Sequence, residues 1–386
     1  MKIKLRDISS LITKGTTPTS IGFNFESQGI KFVKVECFAP DGSFLPSKVV
    51  YISECCHEKL KRSQLKENDI LFSIAGAIGR VAMVTREMLP CNTNQALAII
   101  RISDKRVYLP YIKHVLSSSY ISKQFNKLKQ GVAQLNISLT DVGNLVIPLP
   151  KYAKQVDITH TLAKIQSIIS HRRAQLAKLD ELVKCRFVEF FGDPVTNPNQ
   201  YEIATLESIA SYWNGLTYSP EEVAEEGTIV LRSSNIQNSA LDFKDTVRVN
   251  CRIPAKKYVQ ENDILMCSRN GSAKLVGKVA LIQRIKEAMS FGAFMMIIRS
   301  ASYYPYLMTY FQMPAFRLQI ATGSTTTINQ ITGNMMDKVK LPIPPVSQVE
   351  KFSSFVRRID KSRFAIQASL DKTQQLFDSL MQEYFG

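Results

Sequence analysis

Residues 152–192 read YAKQVDITHTLAKIQSIISHRRAQLAKLDELVKCRFVEFFG. Within them Ile158, Leu162, Ile165, Ile169, Leu176, Leu179, Val183 and Phe190 recur at alternating steps of three and four, interrupted only by Arg172 and Arg186. That spacing predicts one long helix with a coiled-coil seam. At 1.5 Å per residue such a helix spans roughly 55–60 Å, more than the width of a small domain. Its seam therefore needs a partner.

The chain contains one. Residues 346–386 carry Phe352, Val356, Ile359, Arg363, Ile366, Leu370, Thr373, Phe377, Leu380 and Tyr384, each 194 positions after its counterpart in the first ladder. The stretches end alike, FFG at 190–192 and YFG at 384–386. Two equal helices separated by a globule can pair antiparallel. Symmetric overlap would set Arg172 and Arg363 in the central layer, where two like charges must snorkel or meet an acid such as Asp360. Ser347 and Glu350 form an S-x-x-E pattern expected to cap the second helix.

The offset of 194 recurs outside the helices. ENDIL occupies 67–71 and again 261–265; near the same offset, at 198 and 195, ALAIIR (96–101) answers FMMIIR (294–299) and LPYI (109–112) answers YPYL (304–307). GVAQLNISLT (131–140) resembles GSTTTINQIT (323–332), and VIPLP (146–150) resembles KLPIPP (340–345). A period this long indicates domain duplication rather than a solenoid. Each copy opens with short β-like runs, turns rich in Gly, Asn and Ser, and helical pieces such as 111–128, which reads as a mixed α/β globule. A proline pair then marks the junction with the long helix. The expected organisation is a first globule over 1–150, a helix over 151–192, a second globule over 193–345 and a helix over 346–386.

The chain of 386 residues has a net charge of +16, with +13 from residues 1–192 (28 Lys and Arg against 15 Asp and Glu) and +3 from 193–386 (21 against 18). An excess of this size points first to a polyanion, nucleic acid above all. No apolar run approaches membrane-spanning length, and the N-terminus lacks the apolar region of a signal peptide. Seven cysteines without a C-x-x-C pair argue against a disulfide framework or zinc site and fit the reducing cytoplasm. No catalytic or metal-binding constellation is evident. The four histidines (His57, His114, His160, His171) are scattered, and nucleotide-binding and methyltransferase motifs are missing.

What remains is binding, which needs base-edge donors and acceptors together with Lys and Arg for phosphates. The first copy offers Ser73, Arg80, Asn94, Gln95, Lys129, Gln130, Gln134 and Asn136. The second offers Arg232, Ser233, Asn235, Ser268, Arg269, Asn270, Lys274, Lys278, Ser324, Thr325, Thr326 and Asn329. Arg269-Asn270-Gly271-Ser272 stands out, because arginine suits guanine and asparagine suits adenine. Each of these residues has an alternative as a turn or capping residue.

Two α/β blocks, each closing on I-P-hydrophobic-P, a glutamine (Gln155, Gln348) and a long helix ending in FFG or YFG, resemble the specificity (S) subunit of type I restriction–modification enzymes. D-I-L-F-S with G-x-x-G-R (Asp69–Ser73, Gly76–Arg80) and T-G-S-T-T-T-I-N (Thr322–Asn329) look like that family's target recognition domains. The resemblance covers the chain end to end. It implies two tandem α/β (α+β) recognition domains separated by two long helices in an antiparallel coiled coil, related by a pseudo-two-fold axis. Each domain would read one half of a split, asymmetric duplex-DNA site. The helices would set the spacer and dock two methyltransferase (M) subunits, which use S-adenosylmethionine to methylate adenine. Restriction (R) subunits would add ATP- and Mg-dependent translocation and cleavage, and the S subunit itself would bind no cofactor. GVAQLN in the first copy against GSTTTIN in the second is a departure that separates the two readers. The rival expectations are a stand-alone methyltransferase or nuclease, and a non-specific basic DNA-architectural protein.

Overall fold

The computed structural model describes residues 1–127, 136–321 and 329–386. They form two compact units, one of residues 1–172 with 369–386 and the other of 173–368. The division cuts through both long helices, Tyr152–Phe191 and Val346–Phe385, each of 40 residues.

In the first unit Lys2–Lys4 pairs antiparallel with Val146–Pro148, tying the start of the globule to its end. A four-stranded antiparallel sheet runs in the order Ser9–Lys14, Leu97–Ile102, Ile70–Ser73, Val81–Met83. Beside it lies a three-stranded sheet in which Ile30–Val33 is antiparallel to Val50–Ile52 and parallel to Cys91–Thr93. Every residue of Ile70–Ser73 is buried, because strand side chains alternate between faces and here both faces are covered. Ile70 and Phe72 join Ile100, Tyr111, Ile112, Ile158 and Phe385 in one core. Leu71 joins Ile99, Val33, Phe38 and Met88 in the other.

The second unit repeats this plan. Ile203–Thr205 pairs with Lys340–Pro342, and Ser211–Asn214, Met295–Arg299, Ile264–Cys267 and Val279–Leu281 form the four-stranded sheet. Ile264 and Met266 enter one core, Leu265 and Cys267 the other. Two elements are added. Val223–Ala224 extends the second sheet, and Ile236–Gln237 with Ala240–Leu241 makes a hairpin. Its two-residue turn holds Asn238 and Ser239 at φ 50° and 60°, the doubly left-handed turn that hairpin twist favours.

The verbatim ENDIL repeat is a folding device. Asn68 and Asn262 take left-handed φ of 72° and 71°, a conformation that asparagine tolerates. The next residue, Asp69 or Asp263, is buried. Its Oδ2 accepts from the backbone N of Lys66 (2.8 Å) or Gln260 (2.7 Å). The same carboxylate takes a two-point contact from the arginine of the IIR run: Arg101 to Asp69 at 2.7 Å twice, Arg299 to Asp263 at 2.6 and 2.7 Å.

Both long helices begin at the same position of the repeat. The backbone N of Gln155 donates to Lys151 O (3.2 Å), and that of Val349 to Pro345 O (3.3 Å). Pro345 therefore supplies the first acceptor and Ser347 lies inside the helix, so the expected S-x-x-E cap does not form. Gln155 is buried. Its amide donates to Arg106 O and Pro150 O and accepts from Tyr108 N, all at 2.9 Å. The first helix stops at Gly192, whose φ of 76° and N–H bond to Val188 O (2.8 Å) form a left-handed cap.

All ten positions of each ladder are buried or partly buried. In the second unit the contacts set the direction of pairing. Phe191 meets Phe352 (centroids 5.2 Å), Arg186 lies over Phe355 (5.5 Å), and Asp180 accepts from Arg363 (2.7 Å). Numbers fall along one helix as they rise along the other, so the segments run antiparallel. Arg363 is thus answered by Asp180 of the facing helix and by Asp360 on its own. The expected common layer of Arg172 and Arg363 gives way, on the Arg363 side, to this pairing with Asp180, eight residues beyond Arg172 in the sequence. Burial raises the Asp360 pKa, and Arg363 opposes that shift. Phe187, outside the ladder, is fully buried between Phe352 and Tyr306. The expected helical piece over 111–128 is two helices, Leu109–Leu116 and Ser119–Lys127. The break falls at a serine run, where Ser118 Oγ bonds back to Val115 O (2.6 Å) and accepts from Ile121 N (3.4 Å).

Candidate nucleic-acid interface

The second unit holds a cleft of about 950 Å³, lined by Leu216, Thr217, Tyr218, Arg232, Ser233, Arg269, Asn270, Gly271, Gly292, Ala293, Phe294, Met295 and Asn329. Five of the sequence candidates converge there: Arg232, Ser233, Arg269, Asn270 and Asn329. The framework beneath is close-fitting. A Cβ on Gly215, just before Leu216, would lie 2.1 Å from Phe291 O, so only glycine lets these two backbones approach.

Neighbouring chain segments hold the loop at 269–271 from several sides. Ser268 N and Arg269 N both donate to Phe294 O (2.9 and 3.1 Å), and Asn270 N donates to Asn329 O (3.3 Å). Asn329 Nδ2 reaches Gly271 O at 3.3 Å. Asn270 donates from Nδ2 to Ser233 Oγ (3.2 Å) and accepts at Oδ1 from Ser272 N (3.0 Å). Its amide braces the loop, leaving it poorly placed for the two-point adenine contact expected from sequence. Arg269 is exposed, with its guanidinium 5.2 Å from the ring centre of Phe294, itself 59% exposed. Arg232 makes a two-point contact with Asp245 (3.0 and 2.9 Å). Its Nε and Ser234 Oγ are buried without a hydrogen-bond partner.

Other candidates serve the fold. Asn235 is buried, donating to Asp242 O and Asp245 O (2.9 and 2.8 Å) and accepting from Arg232 N (2.8 Å). Ser268 is buried, and Lys278 Nζ donates to Ile236 O (3.2 Å). Lys274 is exposed outside the cleft lining. In the first unit Ser73 is buried and donates to Ala75 O (2.9 Å). Arg80 ties Phe38 O (2.7 Å) and Val35 O (3.2 Å). Asn94 Oδ1 accepts from Ala96 N (3.3 Å), while exposed Gln95 accepts from Thr17 Oγ1. Asn136 is exposed. Lys129, Gln130, Gln134, Ser324, Thr325 and Thr326 lie outside the described residues.

Sequence reasoning missed Phe294, Tyr218 and Thr217. An aromatic in the turn before a strand with four buried residues was the available signal for Phe294. His57 bonds through Nδ1 to Asn92 Oδ1. Among the described residues no three His, Cys, Asp or Glu could hold a metal ion, and no helix is long and apolar enough to cross a membrane.

Residues 1–180 match the family model described as the type I restriction modification DNA specificity domain. The chain is 29% identical over 174 residues to the type I restriction enzyme EcoBI specificity subunit of Escherichia coli, covering 44% of this chain and 36% of that one. It is 22% identical over 356 residues to the EcoKI specificity subunit of Escherichia coli K12, covering 86% of this chain and 75% of the relative. The first match thus spans about a third of its relative's length. In fold, the crystal structure of the type I restriction–modification system S subunit from M. genitalium covers all of this chain and 96% of its own, with a TM-score of 0.54 at 14% identity. Over residues 1–180 the chain is therefore similar to the type I restriction modification DNA specificity domain, and its second unit repeats the same sheet plan.

Proposed function

We propose that this chain is a non-catalytic, sequence-specific duplex-DNA-binding subunit. Each globule reads one half of a bipartite, asymmetric site, and the long helices govern the spacer and present docking surfaces for two methyltransferase subunits. The observation that carries this reading is one framework built twice with different loop residues. On the shared framework one copy carries Arg269, Asn270 and Phe294 where the other carries Ala75, Gly76 and Ala96. A generic clamp has no need to differ between its halves, whereas two readers of unlike half-sites do. The charge of +16 supplies the phosphate attraction. S-adenosylmethionine, ATP and Mg would sit on methyltransferase and restriction partners, in the cytoplasm.

Selection of DNA from a randomised pool by the full chain with its methyltransferase partner tests this. Two short conserved blocks separated by a fixed spacer are expected. Binding that falls steeply with salt and enriches no sequence would mean a non-specific architectural protein. Methyl transfer from labelled S-adenosylmethionine by the chain alone would mean an enzyme.

A further inference from the structure

We infer that Arg269, held over Phe294, reads a guanine in the half-site recognised by the second globule, with Phe294 its positioning residue. The inference rests on the DNA-reading function proposed above and names the contact. The hydrogen bonds of the two copies establish equivalence. Ile74 N donates to Ala96 O at 2.9 Å, as Ser268 N does to Phe294 O at 2.9 Å. Gly15 N donates to Leu97 O (3.4 Å), as Gly215 N does to Met295 O (3.1 Å). Strand register agrees, with Ile70 opposite Ile100 and Ile264 opposite Ile298. On this shared framework Arg269 stands where the first copy has Ala75, and Phe294 stands where it has Ala96. The arginine and its aromatic support occur together in one copy and are both absent from the other.

That pattern separates base reading from phosphate binding. The DNA backbone is chemically the same in both half-sites, so a phosphate contact has reason to appear in both copies. A base contact has reason to appear in one. The geometry agrees. A guanidinium held over a ring by cation–π attraction spends none of its N–H donors on that contact, and its planar fork matches the O6 and N7 acceptors of guanine. The backbone of Arg269 is fixed by Phe294 O, and Asn270 braces the loop against Ser233. Little freedom remains to be lost when DNA arrives.

The test compares wild type, Arg269→Ala, Arg269→Lys, Phe294→Ala and Phe294→Tyr as full chains with the methyltransferase partner. Binding is measured to the selected site and to every single-base variant of it, and thermal melts check folding. Arg269→Ala should relax one G·C position in one half-site by roughly ten- to a hundredfold, leaving other positions unchanged. Arg269→Lys should keep overall affinity yet lose most of that discrimination. Phe294→Ala should relax the same position more weakly, and Phe294→Tyr should restore it. Uniform weakening on all sequences, with a smaller salt dependence, would assign Arg269 to phosphate and overturn the inference. So would an unchanged base profile in a folded Arg269→Ala. A wild-type chain that selects no sequence would instead defeat the DNA-reading function itself.

Discussion

Asp69 accepts two hydrogen bonds from Arg101 while its own side chain is fully buried, and Asp263 with Arg299 repeats the arrangement. Removing the acid strands the arginine and an unpaired backbone N–H. Asp69→Ala should cost about 3 kcal/mol, the low end for a buried pair, because Arg101 keeps 28% side-chain exposure. Chemical denaturation followed by far-UV circular dichroism measures the loss, and a change below about 0.5 kcal/mol would contradict the anchoring role. His114 makes a second prediction. Burial first, and the neighbouring Lys113 next, lower its pKa to about 4 from 6.5. The unfolded chain therefore takes up this proton at higher pH than the folded one. Stability is fully present above pH 6.5 and declines as pH falls toward 4, by about 3 kcal/mol in all. His114→Phe should flatten that decline, and a slope identical to wild type would remove His114 as its source. At this scale the sequence was only partly legible. Turn position marked Ser73, Asn235 and Ser268 as candidates, but whether a turn side chain faces inward depends on contacts distant in sequence, such as Asn235 with Asp242 and Asp245.

The long helices were the most legible elements, because a period of three and four depends on neighbours along the same helix. Their ends and register were less so. Pro345 and Lys151 provide the first acceptors, and Ser347, despite its pattern, does not. Pairing follows the aromatic cluster at Phe187, Phe191, Phe352 and Tyr306, of which only Phe352 belongs to a ladder. Phe352→Ala should destabilise by about 3–5 kcal/mol. Leu182→Ala, at a residue 41% exposed, should stay within about 0.5 kcal/mol. Equal effects in calorimetry would mean the cluster is not the packing centre. Insertion of four residues within Tyr152–Phe191 should change the spacer of the recognised DNA or abolish recognition. An unchanged spacer would exclude the helices from setting it.

For the whole molecule, duplication was readable because ENDIL and the closing glycines preserve an offset of 194, with the IIR runs close to it at 198, and these residues hold turns, ion pairs and helix ends. The cleft was not readable as a site. It draws on residues from Leu216 to Asn329 that only the sheet order brings together. Its strongest feature, Arg269 on Phe294, joins a named candidate to an aromatic that the FMMIIR repeat marked only as part of a strand. The central claim is that two copies of one framework read two different half-sites independently. Replacing residues 193–344 with the equivalent block of a relative, then mapping methylated adenines across the genome of cells expressing the hybrid with its methyltransferase, tests this most directly. One half of the split sequence should change to the relative's while the other half stays as in wild type. A change in both halves, or in neither, would contradict the account.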